Sequence, residues 1–188
     1  MPKNLLIIIS GHPATGKTTL GRRLSEYLKI PFLCRDDIKE SLFDSMGYDD
    51  REWSRKIGGA SFKLLYRLTE TMLKVNAPVI IETFFHGQID RERFLELKKK
   101  YDYLPVEINC RADENARSKR FIERNENGNR HPGHVDHTNY RDADIGKPKE
   151  EKTSLDLGGK FFDIDTTDFK SINYDKLFSD IKSATNIT

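Results

Sequence analysis

A chain of 188 residues with eleven Phe, seven Tyr and one Trp has the length of one domain and enough bulky apolar material for a core, which argues against wholesale disorder. Lys plus Arg number 32 against 30 Asp plus Glu, and a formal net charge of +2 argues against a dedicated duplex-DNA binder, though a local basic cleft stays possible. Cys34 and Cys110 lie too far apart to suggest a disulfide framework or a metal pair.

Leu5 to Ile9 is a wholly apolar run, too short for a membrane span or a signal-peptide core, so the expectation is a soluble, cytoplasmic protein with no membrane partner. Leu5–Ser10 reads as a buried strand that stops at Gly11, and Leu20, Leu24, Tyr27 and Leu28 recur at helical spacing after it. Pro31–Cys34 is a second strand, ending in Arg35-Asp36-Asp37, with a helix beginning near Ile38. A long helix is expected from about Arg51 to Val75, its apolar stripe Trp53, Ile57, Leu64, Leu68, Met72 and Val75, closed by Pro78. Trp53 is read as core on this stripe. Val79–Thr83 is a third strand, and Phe94, Leu97 and Tyr101 mark the helix that follows. Leu104–Cys110 is a fourth strand, leading to a helix from about Asp113 to Asn125.

Asn127–Ile145 loses apolar periodicity and reads as a mobile loop, and the charge run Lys147–Lys152 as a solvated connection. Phe161–Thr166 is a fifth strand, and Tyr174–Ala184 a closing helix with Leu177, Phe178 and Ile181 inward. Neither a repeat nor a domain linker interrupts the chain, so residues 1–188 are expected to form a single domain. Aliphatic strands alternating with helices indicate a three-layer α/β domain around a five-stranded parallel sheet.

The segment Gly11-His12-Pro13-Ala14-Thr15-Gly16-Lys17-Thr18 fits G-x-x-x-x-G-K-[ST] in full, between a strand and a helix as the pattern demands. Glycines let backbone N–H groups turn inward and wrap phosphate oxygens without obstruction. Gly11, His12, Pro13, Ala14, Thr15, Gly16, Lys17, Thr18 and Thr19 are therefore the expected nucleotide cradle. Within it Lys17 would reach the β and γ phosphates and Thr18 would offer its hydroxyl to Mg²⁺.

On this motif the chain resembles the small P-loop kinases, above all the ATP-dependent kinases related to polynucleotide 5′-kinase, chloramphenicol phosphotransferase and gluconate kinase. The resemblance covers nearly the whole chain and implies a three-layer P-loop NTPase fold with a flexible lid, about residues 120–146, and ATP and Mg²⁺ as cofactors. It also implies that an aspartate ending the second strand faces the acceptor hydroxyl: Asp36 is the better match and Asp37 the reserve. The chemistry agrees, because a carboxylate at the carboxyl end of a parallel strand beside the phosphate loop can orient a hydroxyl for phosphoryl transfer. Either aspartate could instead cap the helix near Ile38, with Asp37 able to cap while Asp36 serves the acceptor.

Glu82 ends the third strand, where P-loop enzymes place a carboxylate near magnesium, and it is a metal candidate with Thr18; relatives usually carry aspartate there, so Glu82 could meet the substrate instead. Arg120 and Arg124 share a helix face. They resemble the arginine pair of adenylate-kinase-like enzymes, which implies Arg120 on the adenine and Arg124 on the phosphates in a catalytic role; a salt-bridged surface is the plainer account. His131, His134 and His137 invite a zinc hypothesis, but a lid loop touching ATP or an anionic substrate is the better reading. The resemblance further places backbone near Asp163–Thr167 against adenine, and the helix face with Arg51, Arg55 and Lys56 over the acceptor pocket.

The functional expectation is an ATP-dependent kinase that moves the γ-phosphoryl group to a hydroxyl of a small polar molecule. A polynucleotide 5′-hydroxyl kinase is the rival, disfavoured by the near-neutral charge and by acids interleaved with the bases. A regulatory ATPase without a second substrate is the other, and the chain carries no Asn-Lys-x-Asp guanine signature.

Overall fold

Aliphatic side chains on both faces leave Leu5–Ser10 no surface to show to water, and this strand, β1, lies at the centre of the sheet. The structure is a computed structural model that describes residues 4–84, 88–128, 130–135 and 154–185. In chain order, α1 is Lys17–Leu28, β2 Phe32–Cys34, α2 Arg35–Met46 and α3 Arg51–Lys74. There follow β3 Val79–Glu82, α4 Gln88–Tyr101, β4 Leu104–Arg111, α5 Glu114–Glu126, β5 Lys160–Asp165 and α6 Tyr174–Thr185. The strand order is β2-β3-β1-β4-β5, every pairing parallel.

One face of the sheet packs Leu5, Ile7 and Ile9 with Leu20 and Leu24 of α1 and Phe178 and Ile181 of α6. The other packs Leu6 and Ile8 with Leu65 and Leu73 of α3 and Phe94 of α4. These are the expected three layers. After β1 the chain builds β2 and β3 on one side and β4 and β5 on the other. The carboxyl end of β1 is therefore the switch point, where open α/β sheets place their ligands. A buried carboxylate, Glu107 of β4, anchors the segment before β5 by accepting hydrogen bonds from Ser154 Oγ and the Leu157 amide at 2.9 and 3.0 Å.

Three expectations are corrected. The apolar stripe of α3 is rotated: Leu64, Leu68 and Val75 are exposed, while Ser54, Ile57, Ser61, Leu65, Tyr66, Thr69 and Leu73 face inward. Ser61 and Thr69 bury cheaply because their hydroxyls donate to the Gly58 and Leu65 carbonyls of their own helix. Trp53 is only partly buried, its indole N–H on the Gly47 carbonyl at 3.0 Å. Helix α2 starts at Arg35 without a loop, so Asp36 and Asp37 stand in its first turn and neither caps it; Cys34 holds the cap position, and its side chain makes no capping bond. Strand β5 is the edge of the sheet, with Phe161 exposed and Phe162 and Ile164 packed on the core. The Lys147–Lys152 run, His137 and the lid from residue 136 to 146 lie outside the described residues.

Candidate functional site

The turn from β1 into α1 has backbone geometry that few side chains tolerate. Gly11 has φ 133°, and a Cβ there would fall 2.1 Å from the Cys110 carbonyl oxygen. Ala14 and Gly16 are left-handed at φ 62° and 79° on either side of Thr15, positions of the kind that build an anion-binding nest of backbone amides. Lys17 opens α1, and its ammonium donates to the His12 carbonyl at 2.8 Å, curled over the loop it serves. Thr166, just past β5, ties the loop down by donating to the Thr15 carbonyl at 2.7 Å.

Sheet register brings Ile9 opposite Glu82 and Glu82 opposite Cys34, so β1, β3 and β2 end in line. Glu82 is buried there and acts as a hub. Thr18 donates to its Oε2 at 3.2 Å, the Cys34 thiol donates to the same oxygen at 2.8 Å, and Lys17 Nζ lies 3.9 Å from Oε1. Burial first, and the Glu82 charge second, push the Cys34 thiol far above its ordinary range, so it serves as a proton donor and not as a nucleophile.

Asp36 follows β2 by two residues and sits between two guanidiniums. Arg35 reaches its Oδ1 at 3.0 Å and Arg130 its Oδ2 at 2.8 Å. Burial works to raise its pKa, but Arg130, Arg35 and His134 outweigh that and hold the carboxyl well below the usual carboxylate range. Asp37 points elsewhere, paired with Arg22 of α1 at 3.1 Å on the exposed surface. Of the two aspartates, only Asp36 meets Arg130.

Within the segment expected to form a lid, residues 130–135 are docked on α2. Arg130 spans Asp36 and Glu40, the latter at 3.7 Å; His131 stacks on Phe43 at 5.2 Å and meets Asp44 at 3.2 Å. His134 meets Glu40 at 2.8 Å, and Glu40 as a carboxylate accepts, which places a proton on Nε2. Gly133 lies so close to Phe43 that a Cβ would stand 2.6 Å from its ring. Two of the three loop histidines are thus clasps, and among the described residues no cluster of three or more His, Cys, Asp or Glu is placed to hold a metal.

This clasp has a pH dependence of definite sign. Burial, against the opposing Glu40 bond, lowers the His134 pKa below its ordinary 6.5, with Arg130 and Lys39 adding and Asp36 opposing. The Glu40 carboxyl is lowered chiefly by its His134 bond. Both groups bind protons more readily when undocked, so their contribution is complete above pH 6.5 and is lost as pH falls. Amide exchange of residues 131–135, corrected for intrinsic rates, should quicken from about pH 7.5 to about pH 5.5. Unchanged protection would remove the clasp.

Arg120 and Arg124 do share one face of α5, but Arg120 is drawn to β5. It donates to the Thr166 and Thr167 carbonyls at 2.7 and 2.9 Å and lies 4.0 Å above the Phe169 ring. Phe169 in turn covers Gly16, where a Cβ would stand 2.5 Å from the ring. The flat partner of Arg120 here is thus a phenylalanine of the chain itself. Arg124 lies 5.6 Å from the Phe121 ring. Beside the loop, His12, Thr15, Arg111, Arg117, Asp165 and Thr167 line a cavity of about 280 Å³.

The residues present fit a nucleotide with Mg²⁺. The nest and the start of α1 suit phosphates, and Arg120 Nη1 is buried with no hydrogen-bond partner among the described residues, a donor fit for an anion. Thr18 and Glu82 offer the hydroxyl and carboxylate oxygens that a hard cation takes. Phe169, Arg130 and the Cys34 donor escaped sequence reasoning. The pairing of Arg130 with Asp36 spans 94 positions, and no local pattern announces it.

The model of the AAA domain family matches residues 6–142. A solved structure of a candidate kinase from Chloroflexus aurantiacus J-10-fl is 35% identical, with TM-score 0.90 over 97% of this chain and 98% of that one. Kti12 of Chaetomium thermophilum, solved with ADP-AlF3, is 17% identical with TM-score 0.61, covering 96% of this chain and 98% of that one. An unliganded sugar kinase from Janibacter sp. HTCC2649 is 10% identical with TM-score 0.55, covering 98% and 96%. These last two show the fold alone. No curated protein matches the chain. Among the described residues no helix is long and apolar enough to cross a membrane. The phosphate loop, the parallel sheet and the family match agree: the chain belongs to the AAA domain family and is one of the small P-loop kinases.

Proposed function

We propose that the protein is an ATP-dependent phosphotransferase that passes the γ-phosphoryl group to a hydroxyl of a small polar acceptor. The observation that carries this reading is Asp36: an ionised carboxylate at the end of β2, gripped by Arg35 and Arg130, on the side of the sheet end where Glu82 meets Lys17 and Thr18. A bare ATPase has no need of a second carboxylate there. The kinase description of the 35% identical Chloroflexus protein supports the same class of reaction.

Each residue then has a role. Lys17 and the loop amides hold the β and γ phosphates, and Thr18 and Glu82 hold Mg²⁺, which supplies charge neutralisation when bound. Asp36 orients the acceptor hydroxyl and takes its proton as transfer proceeds. Arg130 leaves Asp36 as the acceptor enters, while Arg120 and Arg124 face the nucleotide. Both cysteines are buried free thiols, which suits a cytoplasmic, reducing setting.

ATP consumption across sugars, nucleosides, antibiotics and short oligonucleotides tests this directly. At least one small acceptor should raise it well above the rate with water, because the acceptor helps close the site. Equal consumption with and without every acceptor would favour the ATPase reading. Labelling of oligonucleotide 5′ ends that falls steeply with salt would favour the polynucleotide reading.

A further inference from the structure

Strand alternation brings Cys34 to Glu82. Phe32 and Ile80 face the layer that α1 covers, where Phe32 lies close against Gly21, while Leu33 and Ile81 face the other layer. Two residues further on, Cys34 and Glu82 return to the α1 side, and the parallel register sets them opposite each other at the ends of β2 and β3. Both are buried, at 3% and 6% exposure. The Cys34 thiol donates to Glu82 Oε2 at 2.8 Å, across a strand pairing and not through a loop.

Among the described residues, two other groups with a proton to give approach the same carboxylate. Thr18 donates to Oε2 at 3.2 Å, and Lys17 Nζ stands 3.9 Å from Oε1. Both have work elsewhere in the proposed reaction, Lys17 on the phosphates and Thr18 on Mg²⁺. The thiol has none, and it is buried where the other two residues are partly exposed. A glutamate needs such a partner. Its three side-chain torsions let the carboxylate point many ways from one backbone position, and a directed donor selects one of them. A thiol is a weak, uncharged donor, so it aims Oε2 without forming an ion pair, and the negative charge stays available to a cation.

Resting on the reading of Thr18 and Glu82 as the groups that hold Mg²⁺, we infer that Cys34 is a positioning residue for that site. Its thiol keeps Glu82 aimed when Lys17 turns to the phosphates and Thr18 to the cation, and so raises the affinity for Mg²⁺ beside the nucleotide. Cys34 acts through Glu82 alone, without touching nucleotide or acceptor.

Calorimetric titration with a non-hydrolysable ATP analogue, run once with Mg²⁺ and once with EDTA, tests it, because the ratio of the two affinities isolates the share of the cation. Cys34→Ala should lower that ratio by about tenfold, the low end of the loss that follows removal of a partner behind a metal ligand, and leave affinity in EDTA nearly unchanged. Cys34→Ser, which restores a donor, should recover most of the ratio. In a Glu82→Ala background, where no carboxylate remains to be aimed, Cys34→Ala should cost nothing further. Melting curves of every variant check the fold, and the serine comparison decides the matter even if Glu82→Ala does not fold. An unchanged ratio in Cys34→Ala, a serine no better than alanine, an equal loss with and without Mg²⁺, or a further loss on top of Glu82→Ala would each overturn the inference. The last two would show that Cys34 acts through the packing of β2. A wild-type ratio near one, or a ratio that Glu82→Ala leaves intact, would remove Glu82 from the cation site and the inference with it. A large wild-type ratio that is indifferent to Cys34 removes the positioning role alone. Acceleration of ATP consumption by an acceptor is read separately, so the kinase reading stands or falls on its own measurement.

Discussion

Replacing Lys17 with alanine is expected to lower phosphoryl transfer by about 10³-fold, equivalent to about 4 kcal/mol of transition-state stabilisation. The ammonium is the one flexible cation inside the loop, with only 10% of the side chain exposed. In the free protein it is parked on the His12 carbonyl, a neutral partner that phosphate oxygens readily replace. The fold should survive, because Lys17 belongs to neither hydrophobic cluster and its contact with Glu82, at 3.9 Å, is loose. Glu82 keeps Thr18 and Cys34 as donors when the lysine is gone. The measurements are nucleotide affinity, single-turnover rate and the melting curve of the same preparation. Near-native affinity and rate would remove the assignment of residues 11–19 to the phosphates. A collapsed melting curve would show Lys17 to be structural.

The strand, loop and helix around the phosphate motif were legible because each depends on residues adjacent in sequence: an unbroken aliphatic run, two glycines at fixed spacing, then a 3.6-residue period. Glu82 could be placed for the same reason, as the polar residue ending an apolar strand. The face of α3 could not, because hydropathy counts Ser61 and Thr69 as polar although each satisfies its hydroxyl within one turn and buries. The resemblance favoured Asp36 over Asp37, but the physical reason lay in the start of α2 without a loop, which turns the two aspartates about 100° apart, one to Arg130 and one to Arg22.

Asp36→Asn should leave nucleotide affinity nearly unchanged and lower transfer by about 10²–10⁴-fold, the range for a positioned acid or base, or about 3–5 kcal/mol. The amide keeps the shape and can still accept from Arg35 and Arg130, but it cannot take a proton and no longer carries the charge that both guanidiniums oppose. Phosphoryl transfer passes through a loose transition state, so a strongly basic group is not required and a carboxylate of lowered pKa can serve. That lowering has its own consequence. The group's contribution to stability is complete above its ordinary value of 3.8 and disappears only as pH falls below it. Between about pH 5 and pH 8, any acid limb in the rate profile must therefore belong to another group, with His134 and its clasp the nearest candidate. Asp37→Asn is the internal control: it loosens an exposed pair with Arg22, of the kind worth about 1 kcal/mol or less, and should leave both rate and melting temperature close to wild type. Equal kinetic losses in the two variants would mean that the first turn of α2 acts through its structure and not through the Asp36 carboxylate. A fall in Asp36→Asn stability without a fall in rate would reduce the Arg35–Asp36–Arg130 cluster to a lid anchor.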